Sequence, residues 1–445
     1  MLLHRLFTFL LILPLSVFFG CNSEGIPTPP VNNNGTLAIS PIETSCTETW
    51  IELKTVNVAL PINVNVLANN NPVAQLNNLH SSDTTVYIDS LLPNKSYQIN
   101  VQFIKDKQTI SSNKLTVQTL DTTSNNFTWQ TYTFGDGASS VLRGVTIISP
   151  DNIFAVGQIY INDSTGQPDP LPYCLVHWNG SNWKVLKLKF FPPGSIGDSI
   201  SVIGSAIFAF GANDIWMTGG AVFHYDGNKW NPYYGTAGAE GATKIWGYDS
   251  GNLWFIGRNG LIVHYQNGQW SKIESGTSLG FVDIWGDTNP FTGNTEILCG
   301  AYNQIPSQQS DLIRINNDNT TDKVDRTGLG EGGEIWFKSG IRYYLVGDGL
   351  FEKRFKANSW INLNQNKTIT QYFMDCVRGS DLNDIYVAGA YGEFLHFNGS
   401  NWKSFINYTY LDSGGAYYSL VVKGNLVVAV GFNQSKAVIL VGQHQ

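Results

Sequence analysis

Asn152-Ile-Phe-Ala-Val-Gly157 is the first of seven short apolar runs that close on glycine. The others are Asp214-Ile-Trp-Met-Thr-Gly219, Asn252-Leu-Trp-Phe-Ile-Gly257, Thr295-Glu-Ile-Leu-Cys-Gly300, Arg342-Tyr-Tyr-Leu-Val-Gly347, Asp384-Ile-Tyr-Val-Ala-Gly389 and Leu426-Val-Val-Ala-Val-Gly431. Their closing glycines recur at about 46 residues, the length of one four-stranded propeller blade. Helical repeats of that period would show apolar residues every three to four positions, and these runs do not.

Working outward, each run is followed by a second strand and a tight turn, as in His177-Trp178-Asn179-Gly180, His224-Tyr225-Asp226-Gly227, His264-Tyr265-Gln266-Asn267-Gly268 and His396-Phe397-Asn398-Gly399. Asn-Gly and Asp-Gly accept the positive φ that a two-residue hairpin demands. Trp183, Trp230, Trp270, Trp360 and Trp402 then open the outer strands. The seventh repeat has no such Trp, and Phe127-Thr-Trp-Gln-Thr-Tyr132, upstream of the first, can supply its outer strand. First and last blades would then be clasped together, which removes exposed edges. The pattern resembles bacterial extracellular propellers of the form D-I-W-x-V-G followed by H-Y-x-G-x-x-W. It lacks the GH and WD pairs of WD40 repeats and the Asp box of sialidase-like propellers. The resemblance implies a fold, and the repeat itself displays no catalytic constellation.

Composition agrees with this reading. The chain has 445 residues, of which 14% are charged and 13% aromatic, with 45 Gly and 17 Pro. That suits short strands and many turns better than helices. A net charge of -7 offers no basic footprint for nucleic acid. Cys46, Cys174, Cys299 and Cys376 are too widely spaced for a disulfide framework or a CxxC metal pair, and buried free thiols are expected.

His4 and Arg5 precede an apolar run, Leu6 to Phe19, that Pro14 interrupts. It is too short for a membrane helix and reads as a signal peptide. Phe18-Phe19-Gly20-Cys21 resembles the lipobox of bacterial lipoproteins, with Phe18 where the family usually has Leu. The resemblance implies a lipid on Cys21 and a place in the cell envelope, at the outer membrane, either periplasmic or surface-exposed. Residues 22–35, with Pro27, Pro29 and Pro30 and almost nothing apolar, read as a flexible tether.

Between Thr36 and Leu120 short alternating runs such as Trp50-Ile51-Glu52-Leu53 and Tyr97-Gln98-Ile99-Asn100-Val101 indicate half-buried strands. The segment resembles a fibronectin type III domain, with Trp50 as the core Trp of the second strand and Leu92-Pro93-Asn94-Lys95-Ser96-Tyr97 as its tyrosine corner. The resemblance implies a spacer. The expected class is therefore all-β: signal peptide 1–20, tether 21–35, a fibronectin type III-like sandwich at 36–120, and a seven-bladed β-propeller at 125–445 closed by an N-terminal outer strand.

Function is sought where the loops vary. In a four-stranded blade, the connections between strands two and three and between blades share one face of the disc. The long insertions fall there and carry Tyr160, Tyr173, Phe190, Phe191, Tyr233, Tyr234, Tyr302, Tyr408 and Tyr410. Aromatics beside Asn, Gln and Gly suit a sugar ring or a protein hot spot. At the channel mouth, Lys244, Asp283, Glu334 and Asp375 stand with Thr146, Ala206 and Ser419 at matching positions of the inner strands. A polar ligand or acid-base chemistry could be served by such a ring. The histidines of the turns occupy one place in successive blades, so they are expected to be hydrogen-bonding positions between neighbouring blades and not one metal site. Asn316 to Asp322 echoes a calcium loop but has no central Gly and no closing Glu. The expectation is a monomeric binding module for a glycan or protein, anchored to the membrane by its N-terminal lipid, with no metal, no cofactor and no catalytic residue assigned. A glycan-active enzyme using the mouth carboxylates and an envelope scaffold remain the alternatives.

Overall fold

The computed structural model describes residues 35–136, 139–192, 199–303, 309–412 and 414–444. The signal segment, Cys21 and the tether lie outside the described residues. Among the described residues no helix is long and apolar enough to cross a membrane.

The N-terminal part holds two facing sheets. Thr36–Thr44, Thr49–Val56 and Asp83–Ile88 form one; Asn71–Leu79, Ile62–Ala68, Ser96–Lys105, Gln108–Ser111 and Leu115–Gln118 form the other. Alternation does the sorting: Ile51 and Leu53 enter the core with Val64, Val66, Ile99 and Val101. The backbone N–H of Leu92 donates to the Tyr97 hydroxyl at 2.9 Å. Trp50 corrects the sequence reading. It stands one residue out of phase with Ile51 and Leu53, so the period of two turns it away from the sandwich core. It is buried instead against Ile341, Leu382 and Phe355 of the larger part.

That larger part is a succession of four-stranded antiparallel sheets, each meandering from first to fourth strand. Sheet one comprises Val141–Ser149, Asn152–Ile159, Tyr173–Trp178 and Trp183–Leu186; sheet two, Ala206–Gly211, Asp214–Thr218, Val222–Tyr225 and Trp230–Tyr233. Sheet three comprises Ala242–Asp249, Asn252–Gly257, Ile262–Gln266 and Gln269–Ile273; sheet four, Phe281–Thr288, Thr295–Asn303, Gln309–Ile315 and Thr321–Lys323. Sheet five comprises Gly332–Lys338, Arg342–Gly347, Gly349–Arg354 and Ile361–Asn362; sheet six, Met374–Asp381, Asp384–Gly389, Phe394–Phe397 and Trp402–Ser404. In sheet seven, Ala416–Lys423, Leu426–Asn433 and Lys436–His444 are joined by Phe127–Phe134 from the start of the region, with Leu440 opposite Thr131. First strands pack against first strands in order, and that of sheet seven meets that of sheet one.

The closing glycine of each run has a steric cause. A Cβ at Gly157, Gly219, Gly257, Gly347, Gly389 or Gly431 would strike the backbone carbonyl of Val141, Ile203, Gly241, Glu331, Phe373 or Ala416 respectively, where the chain enters the same sheet. At Gly300 it would strike the carbonyl of Gly333 in the next sheet. Close backbone approach, not positive φ, selects glycine there. Outer-strand tryptophans join neighbours: Trp270 lies 6.4 Å from Trp216 of sheet two, Trp402 5.9 Å from Tyr344 of sheet five, and Trp183 5.5 Å from Tyr132 of the closing strand. Trp183, Trp270 and Trp402 are half-buried in these contacts. The four cysteines within the described residues are free and buried.

The repeated histidines correct a second expectation. Nε2 of His177, His224, His264 and His396 lies 2.9, 2.9, 3.1 and 3.0 Å from the side-chain oxygen of Asn152, Asp214, Asn252 and Asp384, the residue that opens the second strand of the same sheet. Each imidazole also stacks on the aromatic two residues further on, Phe154, Trp216, Trp254 or Tyr386. The bond therefore braces one sheet internally and does not link neighbours. Two further sheets place an ion pair at this position: Glu296 with Arg314 at 3.1 Å, and Arg342 with Glu352 at 3.5 Å.

Candidate binding face

Two concavities open on the loop-rich side. The larger, about 780 Å³, lies where the segment after sheet one meets the segment after sheet two, and Phe190, Pro192, Ile200, Tyr233 and Tyr234 wall it. Phe190 is buried on Phe223 of sheet two at 5.4 Å. Tyr234 stays half exposed and donates its hydroxyl hydrogen to the carbonyl of Phe191 at 2.9 Å, which ties the two segments together. A firm floor with exposed aromatic rims is what an apolar ligand surface can use.

The second, about 580 Å³, is the channel mouth itself, lined by Arg143, Lys244, Arg258, Tyr302, Glu334 and Asp375. A β-bulge near the start of the inner strands sets its chemistry, because an extra residue re-aims the side chains beside it. In sheet six the register shifts between Met374 and Cys376, so Asp375 is the bulged residue and reaches the mouth while Cys376 turns into the core. Lys244 and Glu334 stand just after the bulge of their own strands.

Electrostatics make this mouth less acidic than its sequence. Burial pushes the Asp375 carboxyl up to about 7, with Lys244 pulling it back. Glu334 rises well above the carboxylate range through burial and through the nearby charges of Asp375 and Asp283. Two like charges in one low-dielectric site resist joint ionisation. Against them stand the cations Arg143, Lys244 and Arg258.

Asp283 is not part of it. Its side chain is 1% exposed, and both carboxylate oxygens are taken by Arg378 at 2.7 Å each, with the N–H of Ile335 adding a third bond at 3.0 Å. It is a brace across three inner strands. Of the loop aromatics, Phe190, Tyr233 and Tyr234 come together in the first concavity and Tyr302 joins the charged mouth. Phe191 sits at the rim, 62% exposed. Tyr160, Tyr173, Tyr408 and Tyr410 line neither; Tyr173 is covered by Lys187 at 4.5 Å. Sequence reasoning missed Arg258 and Ile203, which no repeat position flags, and Arg143, the bulged residue of sheet one at the position that Asp375 holds in sheet six. The Asn316–Asp322 loop is a hairpin turn whose Asp318 accepts from the N–H and hydroxyl of Thr320.

The two concavities adjoin. Ile203 and Ser205, in the segment entering sheet two, line both. A groove thus runs from an aromatic wall to a charged well.

Comparison with solved structures bears on the fold. The chain superposes on YCF48 bound to D1 peptide with a TM-score of 0.53 at 14% identity, over 73% of this chain and 100% of the other. The fold is a β-propeller. YCF48 from Cyanidioschyzon merolae gives a TM-score of 0.49 at 14% identity over 71% and 98% of the two chains, and the WD40 β-propeller domain of Doa1 gives 0.48 at 10% over 72% and 98%. No family model and no curated protein matches the sequence.

Proposed function

We propose that this chain is an extracytoplasmic binding module that takes an extended protein segment in the groove of its propeller. In this reading Cys21 carries a lipid anchor, residues 36–120 form a fibronectin type III-like domain, the propeller has seven blades, and the protein acts as a monomer at the cell envelope. The observation that carries the proposal is the continuity, through Ile203 and Ser205, of the Phe190–Tyr233–Tyr234 wall with the Lys244–Tyr302–Asp375 well. An extended peptide offers apolar side chains and charged or amide groups in alternation, and such a groove matches both. A propeller of similar fold holds a peptide, the D1 peptide on YCF48, which supports a protein ligand.

A glycan is the second reading, favoured by the exposed rings of Tyr234 and Phe191, which can stack on a sugar face. Parallel screening of the lipid-free chain on a peptide library and a glycan array separates the two. Binding to peptides that falls at least tenfold in Tyr234→Ala and Lys244→Ala, while Tyr408→Ala binds as the parent does, supports the protein reading. A glycan hit with the same variant pattern replaces it, and hits unaffected by both groove variants remove the groove from recognition.

A further inference from the structure

We propose that Asp384, His396 and His444 hold one divalent transition-metal ion where sheet six meets the closing sheet. Their three donor atoms lie within 4.8 Å of one another. Asp384 and His396 come from the second and third strands of sheet six, and His444 from the third strand of sheet seven.

Sheets one, two and three provide the comparison. There the Asn/Asp, aromatic and His positions form a brace that one hydrogen bond completes. Sheet six places the same three residue positions together and adds three features. His444 Nε2 stands 3.6 Å from Asp384 Oδ1. Tyr386, where sheets one to three have Phe or Trp, brings a hydroxyl 2.8 Å from that same Oδ1 and against His444 Nε2. Behind His396, the Oδ1 of Asn125 lies 2.8 Å from Nδ1.

The last contact sets the tautomer. An amide oxygen accepts, so Nδ1 carries a hydrogen; in the neutral imidazole Nε2 is then left with its lone pair, the form that ligates metals. That lone pair faces a carboxylate oxygen at 3.0 Å. It also faces the Thr123 hydroxyl at 3.3 Å, whose hydrogen goes to the carbonyl of Asn383 at 2.6 Å. With His396 neutral, acceptors from several chain segments point into one space, where the Tyr386 hydroxyl donates to Asp384, an arrangement that a cation resolves. Two imidazoles and a carboxylate suit zinc and its first-row neighbours. Side-chain exposures of 0% for His396, 7% for Asp384 and 13% for His444 leave little access for a substrate, so the ion would be structural. It would tie sheet six to the closing strand and, through Asn125, to the segment that leads into Phe127–Phe134.

The test uses the chain without a polyhistidine tag, zinc as the probe, elemental analysis for stoichiometry and calorimetry for affinity. One zinc per chain is expected, with melting raised by about 5 °C over a chelator-treated sample. His444→Ala should lose the ion and the shift, while His224→Ala, which breaks the Asp214–His224 pair of sheet two, should keep both. His444→Gln serves if His444→Ala does not fold. No saturable zinc binding by the folded parent chain, or equal binding by the His444 variant, overturns the proposal and leaves a hydrogen-bonded cluster only.

Discussion

Arg342 and Glu48, 294 residues apart, form a buried ion pair between the propeller and the N-terminal sheets. In sheet five the brace that other sheets build from Asn/Asp and His is rebuilt as Arg342 and Glu352, with the Tyr344 hydroxyl donating to Glu352 at 3.0 Å. This frees a guanidinium to reach Glu48, whose carboxylate also accepts from Tyr87 at 2.7 Å. Trp50 and Phe355 pack beside it. The N-terminal sheets therefore pack on the propeller through these contacts.

Breaking that pair is expected to be costly, because a buried charge left without its partner loses about 3–5 kcal/mol. Arg342→Ala should lower the denaturation midpoint and make residues 121–126 accessible to protease. A second variant, Glu48→Gln with Arg342→Met, should recover much of the loss. Protease resistance unchanged in Arg342→Ala would show that the apolar contacts of Trp50 alone hold the domains together.

Asp283 and Arg378 make the parallel case inside the channel, where the guanidinium also stacks 5.3 Å from the ring of Trp285. Arg378→Ala should destabilise the propeller by about 3–5 kcal/mol and leave groove ligands bound with little change. Loss of binding at full stability would instead return Asp283 to the ligand site. Urea titration beside a binding assay reads both.

Asp375 gives a pH signature. Its folded value of about 7 stands above the ordinary 3.8, so between the two the folded chain retains a proton that the unfolded chain releases. The stability this group contributes is complete below about pH 4 and is lost as the pH rises through about 7. Asp375→Asn should flatten that part of the stability profile, measured as urea midpoints from about pH 5 to pH 7.5. An identical slope in the variant would place the titration elsewhere.

Much of the propeller was legible because its repeat records hard steric needs. Glycine closes each run where a Cβ would meet a carbonyl, and Trp129 was visible as the donor of an outer strand because the last repeat lacked its own. The sites were less legible. Alternation shows that Trp50 and Ile51 face opposite ways but not which face meets the propeller. A matching column of inner-strand residues cannot reveal that Asp283 is consumed by Arg378, nor that a bulge at Asp375 turns it outward. Arg258 and Ile203 became site residues only when segments from different sheets were placed side by side, Arg143 only through the bulge in the first strand of sheet one, and His444 joined Asp384 and His396 only through ring closure.

Site-specific photocrosslinking in cells that make the protein tests the groove most directly, with the photoreactive residue at Tyr234, at Tyr302 or, outside the groove, at Tyr408. A groove that holds one extended partner predicts that the same protein is captured from Tyr234 and Tyr302 and not from Tyr408. Capture from Tyr408 alone, or no common product from the two groove positions, would contradict it.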